Sequence, residues 1–212
     1  MKTILCYGDS LTWGYDARRL GRHAYEDRWP SVLQARLGGE ALVIAEGLNG
    51  RTTIFDDYAS GADRNGARTL PTLLSTHAPL DLVIIMLGTN DLKPGICGRA
   101  HGAKQGMERL VRMVRGHDYP FPQPAPKVLI VAPPPVCETE NSDFASMFEG
   151  AVEESRKLAG YYRQVAETCG CRFFDAGQVA RTDPTDGVHL DAVNTRAIGE
   201  GLVAGVRATL GL

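Results

Sequence analysis

The sequence predicts an α/β fold in three layers, a mainly parallel five-stranded sheet with helices on both faces. Three observations predict it. Short apolar runs alternate with longer stretches of helical periodicity along the chain. One run, residues 82–87 (Leu-Val-Ile-Ile-Met-Leu), is apolar without interruption, as expected of a strand covered on both faces. The strand–helix alternation sends each strand back through a helical crossover, which makes neighbouring strands parallel.

Taken in order, residues 4–7 form the first strand, 41–45 the second, 82–87 the third, 128–132 the fourth and 171–174 the fifth. The first long helix covers 29–37, with Trp29, Val32, Leu33 and Leu37 at helical spacing. A short helix follows at 70–76. Residues 100–115 carry Met107, Leu110, Val111 and Val114 on one side. Residues 144–168 read as one helix bearing Phe148, Val152, Leu158, Tyr162 and Val165, and 192–210 close the chain. Gly38-Gly39 and the proline-rich residues 120–126 act as punctuation. No repeat or long linker divides the chain, so residues 1–212 are expected to form a single domain.

The bulk composition excludes several classes. A domain of 212 residues buries about 70% of its unfolded surface and needs no disulfide or metal staple. The net charge is −2, from 23 basic and 25 acidic residues, and no basic stripe offers nucleic acid a positive field. The Arg18, Arg19 and Arg22 cluster reads as a solvated loop. The odd set of five cysteines matches no disulfide framework, so free thiols in a reducing compartment are expected. The N-terminal apolar run is too short for a signal peptide, and no segment approaches the roughly 18 apolar residues of a membrane span. A cytoplasmic location is the expectation. The five histidines are scattered and no carboxylate cluster has ligand spacing, so neither a metal nor a cofactor is implied.

In an open α/β sheet, ligands bind beyond the carboxyl ends of the strands. Four loops there carry candidate chemistry. Gly8-Asp9-Ser10-Leu11 follows the first strand; Gly8 is expected to permit a sharp turn, and Ser10 alone could be a helix cap. Gly47-Leu48-Asn49-Gly50 follows the second and could turn backbone amides toward a ligand, or simply be a tight turn. Gly88-Thr89-Asn90-Asp91 follows the third; Asn90 could donate its amide into a cleft or cap an Asx-turn. Asp186-Gly187-Val188-His189 precedes the last helix, a spacing that lets the carboxylate orient the imidazole. Together these loops hold a nucleophile, a base, an orienter and hydrogen-bond donors, the parts acyl transfer requires.

The four segments, in this order, resemble the blocks of the SGNH (GDSL) hydrolases. The resemblance runs from residue 8 to residue 189, nearly the whole chain. It places Gly50 where that family has its oxyanion glycine and implies a flavodoxin-like fold. Glu46-Gly47-Leu48, Arg51-Thr52-Thr53, residues 80–91, Pro133-Pro134-Pro135 and Phe148-Glu149-Gly150 are similar to the bacterial arylesterase and acyltransferase branch. That similarity implies short-chain or aryl ester substrates, some acyl transfer to alcohols, and a homo-oligomer. The expected roles follow. Ser10 attacks the ester, His189 takes its proton and Asp186 holds His189. The Ser10 and Gly50 amides and the Asn90 side chain receive the oxyanion. Activity should fall once His189 is protonated.

Trp13, Asp9, Pro134 and Phe148 are the expected substrate-binding residues, with Phe144 a further possible contact. Arg51 is expected to make a structural salt bridge rather than bind a substrate anion. A carbohydrate deacetylase or a thioesterase would use the same site. A rival of another class is a flavodoxin-like module binding a small ligand such as a flavin phosphate, against which Asp9 argues by its charge.

Overall fold

The structure is a computed structural model describing residues 1–120 and 122–212. Phe121, inside the 120–126 punctuation, lies outside the described residues.

The strands are β1 (Lys2–Gly8), β2 (Tyr15–Asp16), β3 (Gly21–Arg22), β4 (Ala41–Gly47), β5 (Leu82–Met86), β6 (Lys127–Ala132) and β7 (Arg172–Asp175). The helices are α1 (Ser10–Trp13), α2 (Trp29–Leu37), α3 (Gly66–His77), α4 (Ala100–Gly116), α5 (Ser142–Met147), α6 (Ala151–Cys169) and α7 (Ala192–Leu210). The main sheet has the order β4-β1-β5-β6-β7, and every pairing in it is parallel. β2 and β3 form a separate antiparallel pair.

The apolar strand β5 explains the layering. Its side chains alternate between faces, and both faces are buried. Val83 and Ile85 join Leu5, Tyr7, Ile130 and the inner faces of α3, α4 and α6. Leu82, Ile84 and Met86 join Ile4, Cys6, Val131 and the inner faces of α2 and α7. Burying each such side chain contributes about 1.5–3 kcal/mol, so two dry cores hold one sheet.

Three local features differ from the sequence reading. The short helix read at 70–76 starts four residues earlier, as α3 at Gly66, where the Asn65 side chain caps it by accepting the Ala67 N–H. The helix expected at 144–168 is broken: α5 ends at Met147, Gly150 takes φ 75° and α6 starts at Ala151. The short β2–β3 ribbon falls in the segment read as a solvated loop.

The strand order places the site. The chain crosses from β4 on one side of β1 to β5 on the other, so the loops after β1 and β5 diverge and leave a crevice between them.

Candidate active site

Ser10 sits where β1 gives way to α1. Asp9 takes the cap position, its Oδ1 accepting the Leu11 N–H at 2.9 Å. That leaves the Ser10 hydroxyl free of the capping role Ser10 could have had. Gly8 is needed for space rather than for unusual backbone angles. A Cβ there would lie 2.0 Å from Thr12 Oγ1 and 2.9 Å from the Met86 carbonyl.

Across the crevice, His189 Nε2 lies 2.9 Å from Ser10 Oγ. His189 Nδ1 lies 2.5 Å from Asp186 Oδ2. The second Asp186 oxygen accepts the amides of Val188 at 3.0 Å and His189 at 2.9 Å. With Nδ1 donating to the carboxylate, the network leaves the Nε2 lone pair facing the serine hydroxyl. Burial alone would raise the Asp186 pKa. The hydrogen bond and charge of His189, with these two amides, outweigh it and hold the carboxyl below its ordinary value. Ser10, His189 and Asp186 are 6%, 7% and 3% exposed, enough for a small ligand to reach the hydroxyl while the carboxylate stays dry.

The ribbon around β2 and β3 braces this loop. The Tyr15 ring lies 4.4 Å from the imidazole, and Phe144 meets it edge-on at 5.9 Å. His23 Nε2 is 2.9 Å from the Leu190 carbonyl, and Arg18 binds Asp183 at 2.7 Å.

Three hydrogen-bond donors border the same space. The Ser10 N–H opens α1, and among the described residues no protein acceptor takes it or the Gly50 N–H. Gly50 has φ 82°, a backbone conformation that favours glycine, and a Cβ there would also displace the end of the Arg64 side chain, 2.7 Å away. The Asn90 amide donates to the Arg51 carbonyl at 3.2 Å, with a longer contact to Asp9 Oδ2 at 3.4 Å. Arg51 itself corrects the expectation of a salt bridge. Its Nη1 donates to the carbonyls of Gly8 and Glu46 at 2.8 and 2.5 Å, and its guanidinium lies 4.3 Å from the Tyr7 ring centre. Asp91 next door accepts from the Thr53 amide at 3.0 Å and from the Thr53 hydroxyl, stitching the Gly50 and Asn90 loops together. Burial raises both Asp9 and Asp91 to about 6, against the hydrogen bonds of Leu11 and Thr53 respectively.

The cavity at Ser10 measures about 170 Å³. Asn90, Gly50 and Phe148 line it, as do Tyr15, Arg64, Lys93 and Met147, which sequence reasoning missed. The structure keeps the other three expected binding residues out of the lining. Asp9 is turned back as a helix cap. Trp13 faces the Arg22 guanidinium, 4.6 Å from its ring centre. Pro134 is buried in a segment whose next residue, Pro135, accepts the Thr182 hydroxyl at 2.9 Å. A larger hollow of about 580 Å³ lies at the opposite end of the strands, around Arg115, Lys127 and Arg172, with no serine or histidine in its lining.

The GDSL-like Lipase/Acylhydrolase family matches residues 6–194. A carbohydrate acetylesterase family member from Sinorhizobium meliloti is 65% identical, with a TM-score of 0.99 over 100% of both chains. The aryl esterase of M. smegmatis is 43% identical, with a TM-score of 0.92 over 99% of this chain and 100% of that one. Est24, a carbohydrate acetylesterase from Sinorhizobium meliloti, is 41% identical, with a TM-score of 0.93 over 98% of this chain and 99% of the other. No curated protein matches the chain. A family match over most of the sequence, and the same fold at this identity, establish that the chain belongs to the GDSL-like lipase/acylhydrolase family and has its SGNH hydrolase fold.

Proposed function

We propose that this protein is a serine esterase that cleaves short-chain or aryl carboxylic esters through an acyl-enzyme on Ser10. The observation that carries the reading is the relay from Ser10 Oγ to His189 Nε2 and from His189 Nδ1 to Asp186, at 2.9 and 2.5 Å, opening on a small cavity. Ser10 attacks the ester carbonyl while His189 takes its proton. Asp186 steadies the imidazolium. The amides of Ser10 and Gly50 and the side chain of Asn90 receive the developing oxyanion. His189 returns the proton to the departing alkoxide, and a water activated by the same imidazole releases the acid. An alcohol taking the place of that water would yield a new ester.

Cavity size supports a short acyl group. A void of about 150 Å³ holds one benzene, so about 170 Å³ suits an acetyl or butyryl ester better than a long chain. Acetylated carbohydrates are a second substrate class, favoured by the polar Asn49, Arg64 and Lys93 in the lining and by the two carbohydrate acetylesterases among the similar structures.

The test is hydrolysis of p-nitrophenyl acetate, butyrate and octanoate by the wild type and by Ser10→Ala, with a parallel set in excess alcohol. Serine-dependent turnover that fades with chain length is expected, with ester product in the alcohol set. Turnover unchanged in Ser10→Ala would refute the scheme.

We also place the protein in the cytoplasm, on the support of its unpaired cysteines, and read it as a homo-oligomer, on the support of exposed Tyr58 and Met147. Light scattering in solution tests the second point. Among the described residues no helix is long and apolar enough to cross a membrane.

A further inference from the structure

Lys93 and Arg64 stand out because the reaction does not need them. Both line the cavity at Ser10, and both line a second, larger cavity of about 410 Å³. Met147 is common to the two linings as well. The shared lining sets the two cavities side by side, the one at Ser10 inner and the larger one outer; an ester whose short acyl group fills the inner space has room for a larger alcohol part in the outer one, with these two cations between them.

The cations are not equally satisfied. Arg64 Nη1 binds Asp57 at 2.9 Å, and Asp57 Oδ1 also accepts the Ala59 amide at 3.2 Å, so that carboxylate is engaged. Arg64 Nε is buried without a partner. Among the described residues Lys93 has no carboxylate within ion-pairing distance. Its Nζ lies 5.3 Å from the centre of the Phe148 ring. Burial lowers the Lys93 pKa, opposed by the charge of Asp57 and assisted by that of Arg64. Of the remaining acids nearby, Asp9 is spent on the α1 cap, Asp91 on the Thr53 amide and hydroxyl, and Glu149 sits exposed on the outer rim. The Lys93 residue is half-buried, its ammonium rests beside an aromatic ring, and among the described residues no carboxylate pairs with it, so the charge is available to a ligand. A carboxylate suits it best, because it accepts from both an ammonium and a guanidinium edge.

The geometry points to Lys93, assisted by Arg64, as the specificity-determining residue for esters whose alcohol part carries a carboxylate, bound in the outer cavity while a short acyl group occupies the inner one. This inference rests on the esterase reading and adds the charge of the substrate to it. The cations bind the substrate and take no part in bond making, so their effect falls on substrate capture more than on turnover of bound ester.

The experiment compares two acetyl esters of one shape, 4-acetoxybenzoate and its neutral methyl ester, on the wild type, Lys93→Gln, Lys93→Arg and Ser10→Ala. The quantity read is the ratio of kcat/KM for the charged ester to that for the neutral one; comparing the ratio between variants cancels the different reactivities of the two leaving groups. The ratio is expected to drop about tenfold or more in Lys93→Gln, mainly through KM, and to be largely kept in Lys93→Arg. The wild-type preference should also shrink between low and high salt. A ratio that stays within twofold between wild type and Lys93→Gln, with both esters still cleaved in a Ser10-dependent way, would overturn this inference and leave the esterase reading intact. Turnover of both esters that survives in Ser10→Ala would overturn the esterase reading, and this inference with it.

Discussion

In the mechanism proposed above, the Asn90 side chain is one of three donors to the oxyanion. Its amide is held by the Arg51 carbonyl, and its longer contact, to Asp9, is the one a stronger acceptor can replace. A developing oxyanion is such an acceptor. Asn90→Ala is expected to lower kcat on p-nitrophenyl acetate about 10²–10³-fold with little change in KM, read from steady-state kinetics. Ser10, Asn90, Asp186 and His189 were all legible as residues, because each leaves a strand end or enters a helix in a block whose chemistry is specific. Arg64 and Lys93 were not. They follow no strand-end rule, and a cation in a loop carries no local signal that tertiary packing will leave it beside the nucleophile. Trp13 misled for a related reason, since nearness to Ser10 in sequence says nothing about which side of a four-residue helix faces the cavity.

At the level of elements, the strands were readable to within a residue or two, as were the α2 and α7 helices. Their apolar faces repeat with a clear period over the two cores. The break between α5 and α6 was hidden, because the apolar spacing of Phe144, Phe148 and Val152 continues across it. The two-residue strands β2 and β3 are too short to show any period. The break has a use. It lets Phe144, Met147 and Phe148 line the cavity while α6 packs on the sheet. Gly150 allows it, with φ 75° and open space around its Cα. Gly150→Ala is expected to cost about 1–2 kcal/mol of stability, since no clash but only the left-handed backbone opposes the new methyl group. As the wall shifts, KM for acetyl esters should rise. Thermal melting and KM check the two parts separately.

The whole molecule carries opposed titrations. Asp9 and Asp91 are raised from 3.8 to about 6, so between about pH 4 and 6 the folded protein holds protons that the unfolded chain has released. Stability from this source falls as pH rises through that window. Asp186, held below its ordinary value, acts with the opposite sign: its contribution is present above the unfolded value of 3.8 and is lost as acid protonates the folded carboxylate. Asp91→Asn should remove one of the two raised groups, while its amide can still pair with the Thr53 amide and hydroxyl. The drop in unfolding free energy from pH 4 to pH 7 is then expected to be smaller than in the wild type by on the order of 3 kcal/mol, read from urea titrations at several pH values. The two side chains that meet at 2.9 Å are far apart along the chain. Ser10 and His189 are 179 residues apart, one following the first strand and the other ahead of the final helix. A ribosome delivers the serine 179 residues ahead of its imidazole partner. In the mechanism proposed above, the growing polypeptide carries an inert hydroxyl until those residues are made and folded, and the onset of ester cleavage times the moment when the two segments meet.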